Sequence, residues 1–249
     1  VLNNLEYDHA DIFPNLEAIE TQFHNLIRTV PRTGAVITNK NSVALNRVIE
    51  RGCWSEVIPF GTSQYWTHQS LDYGARIELL NKNQPQGAYK PDFFGAHNLD
   101  NALAALLAAQ HCGVPIEVGL RALEKFQGVR RRLELRGEVN KIKVYDDFAH
   151  HPTAIRSTIT AVKQRYPGAR ILAVFEPRSN SMKMGHHNDS LPSSLDIADL
   201  VYCYTKGLDW NAPELFRTMD NKVSLFNDIP MMTRAIVSSA LPGDFILIM

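Results

Sequence analysis

Short runs of β-branched residues alternate with segments of helical period through most of this chain, and that alternation leaves few folds open. Strands separated by helices are joined by crossovers, so they pair in parallel and build a layered α/β protein. Ala35-Val36-Ile37-Thr38 reads as a strand, Ser42 to Glu50 as a helix and Glu56 to Phe60 as the next strand. Between Tyr65 and Asn81 the pattern changes. Gln64-Tyr65-Trp66-Thr67 and Ala75-Arg76-Ile77-Glu78-Leu79 flank Asp72-Tyr73-Gly74, which predicts strands joined by a turn and a local antiparallel excursion.

After Pro91 a helix is predicted in which Leu99, Leu103, Leu106 and Ala109 share one face, and it stops near Gly113. A second helix runs from Pro115 to Phe126, and Gly128 then breaks the pattern. A boundary is expected at Gln127 to Gly137, where glycines bracket Arg130-Arg131-Arg132, giving domains over residues 1–129 and 130–249. Beyond it the alternation restarts. Lys141 to Tyr145 reads as a strand, Pro152 to Tyr166 as a helix with Ile155, Ile159 and Val162 on its apolar face, and Arg170 to Phe175 as a strand. A strand at Leu200 to Tyr204, a helix near Met231 to Ala240 and a strand at Phe245 to Ile248 complete a doubly wound second domain. Val1 to Leu5 and Phe245 to Met249 read as strand ends cut short, which suggests a piece of a longer protein.

Charge narrows the function classes. Of 249 residues, 26 are Lys or Arg and 26 are Asp or Glu, so the formal net charge is zero and a nucleic-acid partner is not expected. Hydrophobic residues at 45% permit a sizeable core. No run approaches the roughly 20 apolar residues of a membrane span, and Val1 to Ala10 does not read as a signal peptide. The 3 cysteines, Cys53, Cys112 and Cys203, are far apart and fit neither a disulfide framework nor a zinc knuckle, so a reducing cytoplasm is the expected setting.

Four stretches carry possible chemistry. Asp8-His9-Ala10-Asp11 follows an apolar run and suits either a hard cation such as magnesium or a surface turn. Gly95-Ala96-His97-Asn98-Leu99-Asp100-Asn101 opens the long helix; Asn98 fits a cap, while His97, Asn98 and Asn101 also present groups that can read an adenine edge. Tyr145-Asp146-Asp147-Phe148-Ala149-His150-His151-Pro152 lies where a strand ends and a helix begins, a place suited to ribose hydroxyls, phosphate or a carboxylate. Glu176-Pro177-Arg178-Ser179-Asn180-Ser181-Met182-Lys183 also follows a strand; Arg178 and Lys183 either clamp an acidic substrate or are solvated. Gly185-His186-His187 reads as a loop. There is no GxSxG elbow, no HExxH helix, no GxGxxG after a strand and no GxxxxGK[ST] phosphate loop, so a triphosphate site here would be incomplete.

Taken in order, these segments resemble the Mur ligase family, ATP-dependent enzymes that join amino acids or peptides to UDP-N-acetylmuramic acid in building peptidoglycan. Leu5 to Asp11 is similar to the segment whose histidine, here His9, holds Mg2+. His97-Asn98-Leu99-Asp100-Asn101-Ala102 resembles the adenine-contacting helix start, and Arg131-Arg132-Leu133-Glu134 the arginine motif at the entry to the C-terminal domain. Asp146 to Pro152 resembles the DDYGHHP motif of the branch that attaches L-alanine, whose aspartate, here Asp147, faces the nucleotide.

Phe175 to Lys183 is most similar to the branch that attaches the murein tripeptide L-alanyl-γ-D-glutamyl-meso-diaminopimelate to UDP-N-acetylmuramate, rather than to the branch that attaches L-alanine. The resemblance implies a latter part of the central ATPase domain followed by a Rossmann-like C-terminal ligase domain. It makes ATP and Mg2+ the cofactors and an acyl phosphate the intermediate. It makes Arg178, Ser179, Asn180 and Lys183 substrate contacts, Arg132 a group delivered to the phosphates, and His150 and His151 aids to positioning substrate. The Gln127 to Gly137 segment becomes a hinge.

The N-terminal UDP-binding domain and the phosphate loop are not in this sequence, and where some relatives carry a modified lysine it reads Gln22-Phe23-His24. The chain is therefore not expected to turn over by itself. A noncatalytic module that only binds a nucleotide or peptide is the alternative from another class.

Overall fold

The computed structural model describes residues 1–219 and 221–249. The chain divides into two compact units, Val1–Gln127 and Gly128–Met249.

In the first unit the described strands form one sheet in the order β1 (Ala35–Asn39), β2 (Glu56–Phe60), β3 (Trp66–Leu71), β4 (Arg76–Asn81), β5 (Gln84–Tyr89). β1 and β2 run parallel, as the intervening helix α2 (Val43–Glu50) requires. β3, β4 and β5 pair antiparallel, so the excursion expected between Tyr65 and Asn81 is present. It continues through β5, which the sequence reading lacks. Pro85 and Gly87 argue against a strand, but β5 is the edge, where a missing N–H costs no ladder bond. Leu2 adds a single parallel bridge to Thr38.

Helix α1 (Leu16–Arg28) is capped by Asn15 and packs with α2, burying Ile19, Ile27, Leu45 and Val48 together. Helix α3 (Ala96–His111) lies against the sheet through Leu99, Leu103, Leu106 and Leu107, and α4 (Ile116–Glu124) adds Leu120. Ala109 is only half-buried, because Ala102, Ala104 and Leu107 widen the apolar face beyond the expected stripe.

In the second unit the order is β10 (Val223–Phe226), β9 (Leu200–Tyr204), β8 (Ile171–Phe175), β11 (Phe245–Ile248), β7 (Ile142–Asp146), β6 (Glu134–Val139). All neighbours are parallel except β6 with β7. β6 occupies residues expected to belong to the linker; it pairs with β7 around a register shift between Leu135 and Gly137. The chain steps from β7 past β11 to β8, β9 and β10, then returns to place β11 between β7 and β8, which is the doubly wound α/β arrangement.

Helix α9 (Ile229–Ser239), capped by Asp228, packs Met232 and Ile236 against Leu172, Val174 and Tyr202. Strand alternation turns Ile171, Ala173 and Phe175 to the opposite face. Helix α5 (Pro152–Arg165) buries Ile155, Ile159 and Val162, each at 0% exposure, and runs beside α7 (Leu191–Leu195). Two short helices, α6 (Asn180–Lys183) and α8 (Ala212–Leu215), lie in the connections. Among the described residues no helix is long and apolar enough to cross a membrane.

Replacing Ile159 by Ala removes part of a fully buried side chain and is expected to cost about 2–5 kcal/mol. In urea unfolding the midpoint should fall with little change in slope; an unchanged midpoint would mean the site is not close-packed.

Candidate functional site

A parallel sheet opens on its carboxyl edge, and in the second unit the loops after β7 and β8 leave that edge with only β11 between them. Two strand spacings put them about 10 Å apart. The β11 end ties both down: Asp147 N–H donates to Ile248 O at 2.9 Å and Glu176 N–H to Met249 O at 3.2 Å.

Asp147 is 3% exposed. Its Oδ2 accepts Leu133 N–H and its Oδ1 accepts Ala149 N–H, each at 2.8 Å. The carboxylate that the resemblance turns toward a nucleotide is thus buried and bonded to two backbone amides. Its neighbour Phe148 is exposed and donates its N–H to Arg131 O at 2.8 Å.

These bonds hold an unusual turn. Arg131 (φ 58°) and Leu133 (φ 49°) are both left-handed without being glycine, a conformation that costs an L-residue roughly 1–2 kcal/mol. Glu134 Oε2 accepts Arg131 N–H at 2.9 Å and closes the turn from the other side. The Arg131 guanidinium lies 3.6 Å from Asp146 Oδ1, and Arg136 pairs with Glu134 at 3.1 Å. Arg132 differs: among the described residues it makes no ion pair, and its guanidinium lies over the exposed Phe148 ring at 5.8 Å, with that of Arg131 at 5.3 Å. The Phe148 ring also meets His150 edge-on at 5.0 Å.

His150 Nδ1 is 2.9 Å from Phe148 O. His151 is the N-cap of α5, its Nδ1 accepting Thr153 N–H at 3.3 Å, with Pro152 in the first turn. The His151 ring packs on that of His187 at 4.5 Å. His187, placed by the sequence in a plain loop, is 8% exposed and brings the turn after α6 against the β7 loop. Tandem histidines after Gly185 were the available signal.

The stretch expected as a basic loop is partly helical. Ser179 caps α6, its Oγ accepting Met182 N–H at 3.3 Å, so that hydroxyl supports the backbone. Asn180 opens α6, Arg178 is exposed and Lys183 half-buried, and neither cation has an ion-pair partner among the described residues.

In the first unit, Asn98 corrects an expectation. The N-cap of α3 is Gly95, whose φ of 94° suits only glycine, and Asn98 sits inside the helix with Nδ2 donating back to Phe94 O at 2.9 Å. His97 is half-buried, and exposed Asn101 accepts a bond from Asn3 Nδ2. Asp100, which the sequence reading passed over, accepts from His68 Nε2 at 3.0 Å and from Asn39 Nδ2 at 3.4 Å, tying α3 to the end of β1 and the middle of β3. Asn39 at the end of β1 is the signal that was legible.

His9 is exposed at φ 55°, its N–H donating to Asp8 Oδ1 at 2.7 Å and its carbonyl accepting from Ile12 and Phe13. Among the described residues no three His, Cys, Asp or Glu side chains gather to hold a metal ion. These residues do not form a self-contained magnesium site; a single imidazole leaves the shell to water and phosphate.

Residues 1–109 match the Mur ligase middle domain, and residues 131–249 match the Mur ligase glutamate ligase domain. The chain belongs to the Mur ligase family. It is 43% identical to the UDP-N-acetylmuramate–L-alanyl-γ-D-glutamyl-meso-2,6-diaminoheptandioate ligase of Escherichia coli strain K12, over 100% of this chain and 55% of that protein. A UDP-N-acetylmuramate–L-alanine ligase of Caldanaerobacter subterraneus is 31% identical over 81% of this chain and 44% of the relative. The crystal structure of a murein peptide ligase from Psychrobacter arcticus superposes with a TM-score of 0.68 at 35% identity, over 100% of this chain and 53% of that one. The chain thus spans about half the length of the curated relatives it matches.

Two outcomes follow from the turn and the cap. The Arg131 amide holds the Glu134 carboxyl below its usual range; desolvation opposes this, and Arg136 and Arg130 add to it. A lowered folded pKa means the bond is complete above the ordinary carboxylate range and lost as pH falls through the depressed value. An NMR titration should place Glu134 below an ordinary glutamate, and a midpoint at or above one would refute the bond. His151→Ala should lower stability by about 1 kcal/mol and His151→Asn by much less, since Asn can also cap; equal losses in thermal unfolding would remove the capping role.

Proposed function

We propose that this chain is part of an ATP-dependent ligase that forms the amide between UDP-N-acetylmuramate and the murein tripeptide L-alanyl-γ-D-glutamyl-meso-diaminopimelate, in the cytoplasm. The observation that carries the reading is the 43% identity, over the whole chain, to a relative named for that reaction. The alanine ligase reading is weaker because that relative matches at 31% over 81% of the chain. The segment Phe175 to Lys183, most similar to the tripeptide branch, points the same way.

Each unit is assigned its own share of the chemistry. In the first, His97, Asn98 and Asn101 are assigned to the adenine, and His9 to Mg2+ as a single protein ligand. In the second, Arg132 is assigned to phosphate oxygens, because, unlike Arg131 with Asp146, it has no ion-pair partner among the described residues. ATP, when bound, supplies the phosphoryl group that turns the muramate carboxylate into an acyl phosphate. The incoming amine then attacks the acyl carbon, the carbon–oxygen bond to phosphate breaks, and phosphate leaves as the amine loses a proton. His150 and His151 are assigned to positioning substrate at this step. Arg178 and Lys183 are assigned to the acidic groups of the tripeptide, Arg as a fork and Lys as a point charge. Ser179 and Asn180 shape the same segment.

In the full-length protein, Arg178→Ala or Lys183→Ala should raise KM for the tripeptide by roughly 10- to 100-fold, the loss of one charge-assisted bond, while KM for ATP moves little. Unchanged tripeptide kinetics in both variants would take this segment out of substrate binding.

A further inference from the structure

The buried carboxylate of Asp147 has a use that a nucleotide contact does not explain. It sits inside the fold and reaches back 14 residues to Leu133, so the β7 loop and the arginine turn are one hydrogen-bonded unit. The turn needs this support. Arg132 lies between two left-handed residues, Arg131 and Leu133, neither of them glycine. A chain with that conformation relaxes unless its surroundings over-determine it. Three bonds do so: Leu133 N–H to Asp147 Oδ2, Arg131 O from Phe148 N–H, and Arg131 N–H to Glu134 Oε2. The second Asp147 oxygen accepts Ala149 N–H, which fixes the loop that carries Phe148, the ring against which the Arg132 guanidinium rests.

We propose that Asp147 is a positioning residue: by bonding Leu133 and Ala149 together it holds the Arg131–Leu133 turn in its left-handed form and aims Arg132 across Phe148 at an anionic group of the nucleotide. The inference rests on the assignment of Arg132 to phosphate. Asp147 acts through Arg132, and it need not touch the ligand.

The test is a double-mutant cycle in the full-length ligase with Arg132→Ala, Asp147→Asn and the pair. Asn keeps one acceptor oxygen and loses the other, so the turn loosens while the side chain still fills its place. Arg132→Ala should lower kcat by roughly 100-fold, and Asp147→Asn by ~10- to 100-fold, with KM for ATP moving less than about threefold, as misplacement of a catalytic group rather than loss of a ligand predicts. In the Arg132→Ala background Asp147→Asn should cost less than about a further threefold, because the group it aims is gone. Losses that multiply would overturn the proposal. Glu134→Gln loosens the same turn from its exposed side; if Asp147→Asn does not fold, this variant replaces it under the same criterion.

An independent readout needs no turnover. Asp147→Asn should speed hydrogen exchange at the Leu133 amide and remove the ring-current shift that Phe148 imposes on the Arg132 side chain. A protected Leu133 amide and an unmoved Arg132 signal would sink the positioning role even in an active ligase. If the wild-type protein lacks ligase activity, the functional assignment fails, and the exchange and ring-current results still decide whether Asp147 positions Arg132.

Discussion

Backbone amides must find acceptors when they are buried, and in the second unit one carboxylate answers for two of them. Asp147 joins Leu133 to Ala149, so the entry turn, the end of β7 and the start of α5 are fixed by a single side chain. The parallel neighbours β11 and β8 then set where the rest of the edge lies: the β11 end bonds both the β7 loop and the start of the β8 loop. In the first unit side chains bond one another instead: the Asp100 carboxylate of α3 accepts from Asn39 at the end of β1 and from His68 within β3. Gly61, which follows β2, has no Cβ, and this leaves room for Asn39: a Cβ there would lie 2.4 Å from the Asn39 Oδ1.

Much of the architecture was legible because it follows from periodicity. Ile155, Ile159 and Val162 are spaced for one helical face and are fully buried, and β8 reads as a continuous apolar run because both its faces are covered. What was missed lies where local signals contradict the tertiary setting. β5 contains Pro85 and Gly87, and β6 is Glu-Leu-Arg-Gly-Glu-Val; both are edge strands, whose exposed faces need no hydrophobic pattern.

The site divides the same way. Motif order located the stretches around His9, His97, Asp147 and Arg178, since residue types after a strand are visible in sequence. Sequence could not say which polar atoms the fold itself consumes. Ser179 and His151 cap helices, Asn98 reaches back to Phe94, and the Asp147 oxygens go to amides. Hydrogen bonding sets these apart from Arg132, Arg178 and Lys183, whose charges no carboxylate among the described residues neutralises. Nothing local in the sequence announces that Asp100 meets His68, because 32 positions separate them and only the sheet brings them together.

The two adjacent histidines carry a consequence of their own. A carbonyl at His150 Nδ1 demands a proton on that nitrogen, while the Thr153 amide pointing at His151 Nδ1 demands a lone pair there. Neutral His150 and neutral His151 are therefore opposite tautomers, one with its acceptor at Nε2 and the other with its donor there. Two neighbouring histidines of one loop are thus set in opposite patterns at Nδ1, and a protonated His151 would give up its hold on α5.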